Sequence, residues 1–144
     1  MFKFRLEPLI TIRANDLKER QSELAQAYNA RSIVEENLQT LEKQIEEGIA
    51  TARSLMQPGQ MVNVNHLRGL QEQELILRAN QEYWKGLLPQ LDEEIERRRR
   101  LVVAASKELK KIEKLKEKRY EEYLKEEKKE ETKAMDEIAT NKRR

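Results

Sequence analysis

Gln57-Pro58-Gly59-Gln60 decides how this chain folds, because two long apolar ladders stop together there. Upstream, one ladder steps by seven through Ile10, Leu17, Leu24, Arg31, Leu38, Ile45 and Ala52. Its companion, offset by three, runs through Leu6, Arg13, Arg20, Ala27, Val34, Leu41, Gly48 and Leu55. Offsets of three and four place both sets on one stripe of an α-helix, the seam of a coiled coil. Downstream the pattern resumes as Leu67, Glu74, Gln81, Leu88, Ile95, Val102, Leu109 beside Leu70, Leu77, Trp84, Leu91, Arg98, Ala105, Ile112. Pro-Gly is a strong turn signal, and a short turn between two amphipathic helices brings them back antiparallel. The sequence therefore predicts an all-α helical hairpin, a long two-helix antiparallel coiled coil, as one domain over 1–144.

The boundaries follow from local chemistry. Pro8 is tolerated in the first turn of a helix, where its missing amide has no intrahelical acceptor. The first helix is expected over about 7–56, on the order of 70 Å long. A turn is expected over 57–63, with Asn63 or Asn65 capping a second helix over about 65–139. Pro89, beside Gly86, removes a hydrogen bond within that helix and predicts a kink. If facing residues have numbers summing to about 122, Leu55 meets Leu67, Ile45 meets Leu77, Leu38 meets Trp84, Ala27 meets Ile95 and Ile10 meets Ile112. One constant matches both ladders, and small residues tend to face large ones, as dense packing requires. Beyond Ile112 the first helix offers no partner, so a charged C-terminal overhang is expected.

Composition narrows the function classes. Of 144 residues 39% are charged and 5% aromatic, so a chain that spends its apolar residues on a seam has little left to line a pocket. The net charge of +2 does not favour uniform polyanion binding. Without cysteine there is no disulfide, thiolate nucleophile or zinc–thiolate site. No apolar run approaches the ~20 residues that span a bilayer, and the N-terminus interleaves charge with apolar residues, unlike a secretory signal. These features imply a non-enzymatic protein of the cytosol, with no cofactor, no metal and no membrane insertion.

Each potential chemical group has a plain structural reading. His66 sits at the expected start of the second helix, and one imidazole without thiolates makes no usual zinc site. Arg97-Arg98-Arg99-Arg100 spreads around a helix, with Glu93, Glu94 and Glu96 near enough to screen it. It also lacks the aromatic platform of a nucleic-acid surface. Arg13, Arg20, Arg31 and Arg98 interrupt the seam, and their aliphatic stems can cover it while their heads reach water or a carboxylate. Leu75 and Ile76 flank the stripe and add apolar surface beyond what one seam uses.

Two terminal segments carry a family resemblance. The opening Phe4-Arg5-Leu6-Glu7-Pro8-Leu9-Ile10 with Arg13, and the closing Lys116-Glu117-Lys118-Arg119-Tyr120-Glu121-Glu122-Tyr123 followed by Met135-Asp136-Glu137-Ile138-Ala139, resemble the FliJ family of flagellar export stalk proteins. The resemblance spans the chain. It implies a monomeric hairpin similar to the gamma shaft of rotary ATPases, peripheral to the inner membrane through its partners. Those partners are a hexameric flagellar export ATPase, the cytoplasmic domain of the membrane export gate, and export chaperones. Carried onto this sequence, Arg5, Glu7, Arg13, Arg119, Tyr120, Tyr123, Met135, Asp136 and Glu137 would meet the ATPase ring. Leu70, Leu75 and Leu77 near the turn would meet the gate. The equivalent stalk of an injectisome, or a generic coiled-coil scaffold, remains open on the residues alone.

Overall fold

The structure is a computed structural model and describes residues 1–143. Two helices, α1 (Glu7–Leu55) and α2 (Val64–Arg143), pack against each other as an all-α helical hairpin, with no strand among the described residues. Helix α1 begins where Leu6 accepts hydrogen bonds from Leu9 and Ile10, so Pro8 sits in the first turn and forfeits nothing. Glu7 lies beside the positive end of the helix dipole, Arg53 beside the negative end of α1, and Lys142 and Arg143 at that of α2.

The turn is built by two residues with opposite backbone preferences. Pro58 presets a negative φ, and Gly59 takes a φ of 86°, the left-handed region that an L side chain strains to enter. The amide of Gln60 donates to the carbonyl of Gln57 at 3.4 Å, closing the four-residue turn. Asn63 is the cap of α2: its Oδ1 accepts the His66 amide at 3.2 Å, and its carbonyl accepts the amide of Leu67. Helix α2 runs without a break through Pro89, whose position is exposed, and reaches beyond the expected Ala139 to Arg143.

Packing groups the chain into two compact units, one made of Met1–Gln21 with the residues from Arg100 onward, the other of Ser22–Arg99. In the 22–99 unit the buried residues are Ala27, Val34, Ile45, Gln81 and Ile95. In the other, Ala105 is buried. All six stand on the sequence ladders. Ala27 and Ala105 leave room for larger side chains opposite, which keeps a two-helix seam close-packed. Gln81 is the polar exception, and its Nε2 donates to Glu42 Oε2 at 2.6 Å rather than remaining unpaired.

Cross-helix contacts fix the register within each unit. In the 22–99 unit, Arg31 meets Asp92, Glu42 meets Gln81, and Arg98 meets the Glu23 carbonyl. These pairs have residue numbers summing to between 121 and 123. In the terminal unit, Lys116 Nζ lies 2.8 Å from Glu7 Oε2, and Phe2 packs on Tyr120. Those sums are 123 and 122.

Candidate functional site

Candidate residues fall into one set in each unit. In the terminal unit the centre is an aromatic clasp that the ladders did not reveal. Residues 1–6 precede α1 but run beside α2. The Phe2 ring lies 5.3 Å from Tyr120, edge to face, and 5.5 Å from Tyr123. Such ring pairs add about 0.5–1.5 kcal/mol beyond the area they bury. An open groove of about 830 Å³ follows, with Phe2, Phe4, Leu6, Leu115 and Tyr123 on its apolar side and Lys3, Arg5 and Arg119 among its charges. Partial burial, then the hydrogen bond from its hydroxyl to Glu127 Oε1 at 3.2 Å, raises the Tyr123 phenol above its ordinary value.

The clasp corrects the expected start of the overhang. Helix α2 keeps partners to Tyr123, because residues 1–6, which precede α1, lie alongside it beyond the first turn of α1. From Leu124 to Arg143 every described residue is exposed. This stretch carries Leu124, Met135 and Ile138 as exposed apolar side chains among Glu and Lys. Of the residues assigned to the ATPase, Arg5, Arg119 and Tyr123 gather at the groove. Glu7 is held by Lys116 and Tyr120 by Phe2, while Met135, Asp136 and Glu137 lie on the exposed stretch. Arg13 is half-buried, and its Nε is a buried donor with no hydrogen-bond acceptor among the described residues. Phe2 lies outside both ladders, although the register sum of 122 pairs it with Tyr120.

In the 22–99 unit, seam arginines act as cross-helix ties. Arg31 Nε donates to Asp92 Oδ1 at 2.7 Å across the seam while its Nη1 binds Glu35 on its own helix. Arg98 donates from Nε to Glu94 and from Nη1 to the Glu23 carbonyl on α1. Glu94 also receives two hydrogen bonds from Arg97. Those bonds, Arg97 first and Arg98 second, hold the Glu94 carboxyl down at about 2, against an ordinary value of 4.5. Glu94 in turn raises the Arg97 guanidinium. Arg99 lies 3.9 Å from Glu96. The four-arginine run is thus largely engaged with its own acidic neighbours. In the terminal unit Arg20 pairs with Asp16 at 3.7 Å.

The three residues assigned to the gate separate. Leu70 and Leu77 stand on the seam and are half-buried. Leu75 is exposed, as is Ile76 beside it, and Tyr83 continues that outer face, its ring edge-on to Trp84. Among the described residues no three or more His, Cys, Asp or Glu side chains cluster as metal ligands. No helix there is long and apolar enough to cross a membrane.

A helical hairpin whose seam is crossed by the Arg31–Asp92, Gln81–Glu42 and Arg98–Glu23 ties belongs to the class of coiled-coil structural proteins. The family model for flagellar FliJ proteins matches residues 2–143, and the chain belongs to that family. The family is of structural, chaperone type, and its role is that of a stalk in the flagellar export apparatus. Comparison with curated proteins and with solved structures found no match.

Proposed function

We propose that this chain is a non-enzymatic stalk and adaptor of flagellar protein export. Its terminal unit enters the ring of a hexameric export ATPase, and its turn-bearing unit engages the cytoplasmic domain of the membrane export gate. Export chaperones are further partners, and the protein works in the cytoplasm at the inner membrane, held there by the apparatus. The observation that carries this reading is the family match over 2–143. The geometry supports it. The terminal unit holds the groove, the clasp and a helix exposed from Leu124 onward, densely charged with both signs. A surface of this kind makes many weak, screened contacts, so a ring could hold it without locking it in one rotational position.

The test is turnover of the hexameric export ATPase with and without this protein. Stimulation or ring assembly by the intact chain, lost when it is truncated after Tyr123, is the expected result. Absence of both binding and stimulation would remove the proposal.

A further inference from the structure

The near-even charge balance of the chain, +2 in all, conceals a sorting of charge around α2. Counted from the seam ladder through Leu109, Lys116 and Tyr123, the positions farthest from α1 are 107, 110, 111, 114, 117, 118, 121, 124 and 125. Six of these nine are lysine: Lys107, Lys110, Lys111, Lys114, Lys118 and Lys125. All six are exposed, and among the described residues only Lys111 is ion-paired, to Glu108 at 3.2 Å. They form a row about 27 Å long on the side of α2 away from the seam. Solubility alone does not call for such a row. Lys107 and Lys111, Lys110 and Lys114, and Lys114 and Lys118 stand four residues apart, where like charges repel across one turn and weaken the helix. Glutamate and lysine in alternation would wet the same face and support it.

We propose that this lysine row is a membrane-adsorbing face, which lies on the anionic headgroups of a phospholipid bilayer without entering the hydrocarbon. Clusters of basic residues along one helix face are drawn to the negative potential of such a surface. No described helix is long and apolar enough to cross a membrane, and Leu124 is the one apolar residue among the nine outward positions, so the attraction is electrostatic. Lysine suits a fluid, laterally uniform surface, because it is a hydrated point charge on a flexible stem. A protein partner fits less well, since protein interfaces are enriched in arginine and aromatic residues and depleted in lysine. A nucleic acid also fits less well, for the row has no arginine fork and no aromatic platform. The inference goes beyond the ring reading and does not depend on it. Because the row lies in the unit assigned to the ring, a chain held on lipid is one that no ring has yet taken up.

The experiment is sedimentation of the intact chain with phosphatidylcholine vesicles, with and without phosphatidylglycerol. It is run at about 0.1 M and about 1 M salt, between which the screening length falls from about 10 Å to about 3 Å. The inference expects binding only where phosphatidylglycerol is present and only at the lower salt. Each lysine near such a surface contributes about five-fold in affinity, so Lys110→Gln/Lys114→Gln/Lys118→Gln should bind roughly a hundred-fold more weakly. Lys18→Gln/Lys43→Gln/Lys85→Gln removes the same charge from exposed positions outside the row and should bind within about five-fold of the unmodified chain. Circular dichroism checks that each variant keeps its helix content, which glutamine favours by relieving the repulsion along the row. Failure of the unmodified chain to bind the anionic vesicles overturns the inference. So does equal binding to phosphatidylcholine alone, binding that survives the row substitutions, or an equal loss in the two triple variants. Row-dependent capture of a DNA duplex in preference to the vesicles would show the partner to be a nucleic acid and overturn the bilayer.

Discussion

Replacing Ile45 with Ala tests whether the seam carries the stability of the 22–99 unit. Ile45 is 3% exposed, whereas Ile33 on the same helix is 49% exposed. Ile→Ala removes three carbons, at about 0.8 kcal/mol per buried methylene, or about 2.4 kcal/mol. Alanine's better helix propensity returns a few tenths, leaving a loss of about 2 kcal/mol. That lies at the low end for buried Ile→Ala changes, as it should where a thin two-helix seam can relax around the vacancy. Ile33→Ala removes the same carbons from a half-solvated site and should change stability by no more than about 0.5 kcal/mol. Val34→Ala, two carbons fewer at a 5% exposed site, should cost about 1.5 kcal/mol. Val34 and Ile45 are roughly 16 Å apart along α1, so their double variant should lose the sum. Urea unfolding followed by helical circular dichroism measures each value. Equal losses at Ile45 and Ile33 would refute the seam as the source of stability.

Gly59→Ala should lower stability by about 1 kcal/mol through backbone strain alone, since its φ of 86° disfavours an L side chain and no atom lies within 4 Å of the added Cβ. Thermal melting checks this, and a variant as stable as the parent would refute the turn geometry. Glu94 has a depressed folded-state pKa, so its contribution is complete above pH 4.5 and is lost as pH falls toward about 2. Glu94→Gln should therefore show a shallower fall in stability across that window than the unmodified protein, and identical pH profiles would dismiss the tie. Phe2→Ala should speed amide exchange over 115–123, where the clasp rests, and leave 124–143 as before. Unaltered exchange over 115–123 would mean the clasp holds nothing.

The seam was legible because its signal is periodic. Ala27, Val34, Ile45, Gln81, Ile95 and Ala105 are buried, and each stands on a ladder whose phase sets the facing pairs. The turn was legible because Pro-Gly supplies the required pair of backbone angles. The clasp was not, since Phe2 and Phe4 precede the helix and follow no heptad. For the same reason the ladders stop at Ile112, short of the pairing that α2 keeps to Tyr123. Cross-helix arginines were also hidden: Arg31 and Asp92 are distant in sequence, and a ladder shows where a guanidinium stands but not which carboxylate it reaches. Leu70 and Leu77 show the reverse problem. Their apolar character marks both a seam and a docking face, and only burial separates them from Leu75.

Everything proposed for this protein depends on α2 returning along α1 in a fixed register. Because the chain has no native cysteine, Leu38→Cys/Trp84→Cys places the only two thiols at facing seam positions. The most direct measurement is treatment with a short thiol cross-linker at two protein concentrations. The account predicts an internally linked monomer whose yield does not change with concentration, and little linkage when the second thiol is moved to the exposed position Tyr83. Linkage between separate chains that grows with concentration would contradict it.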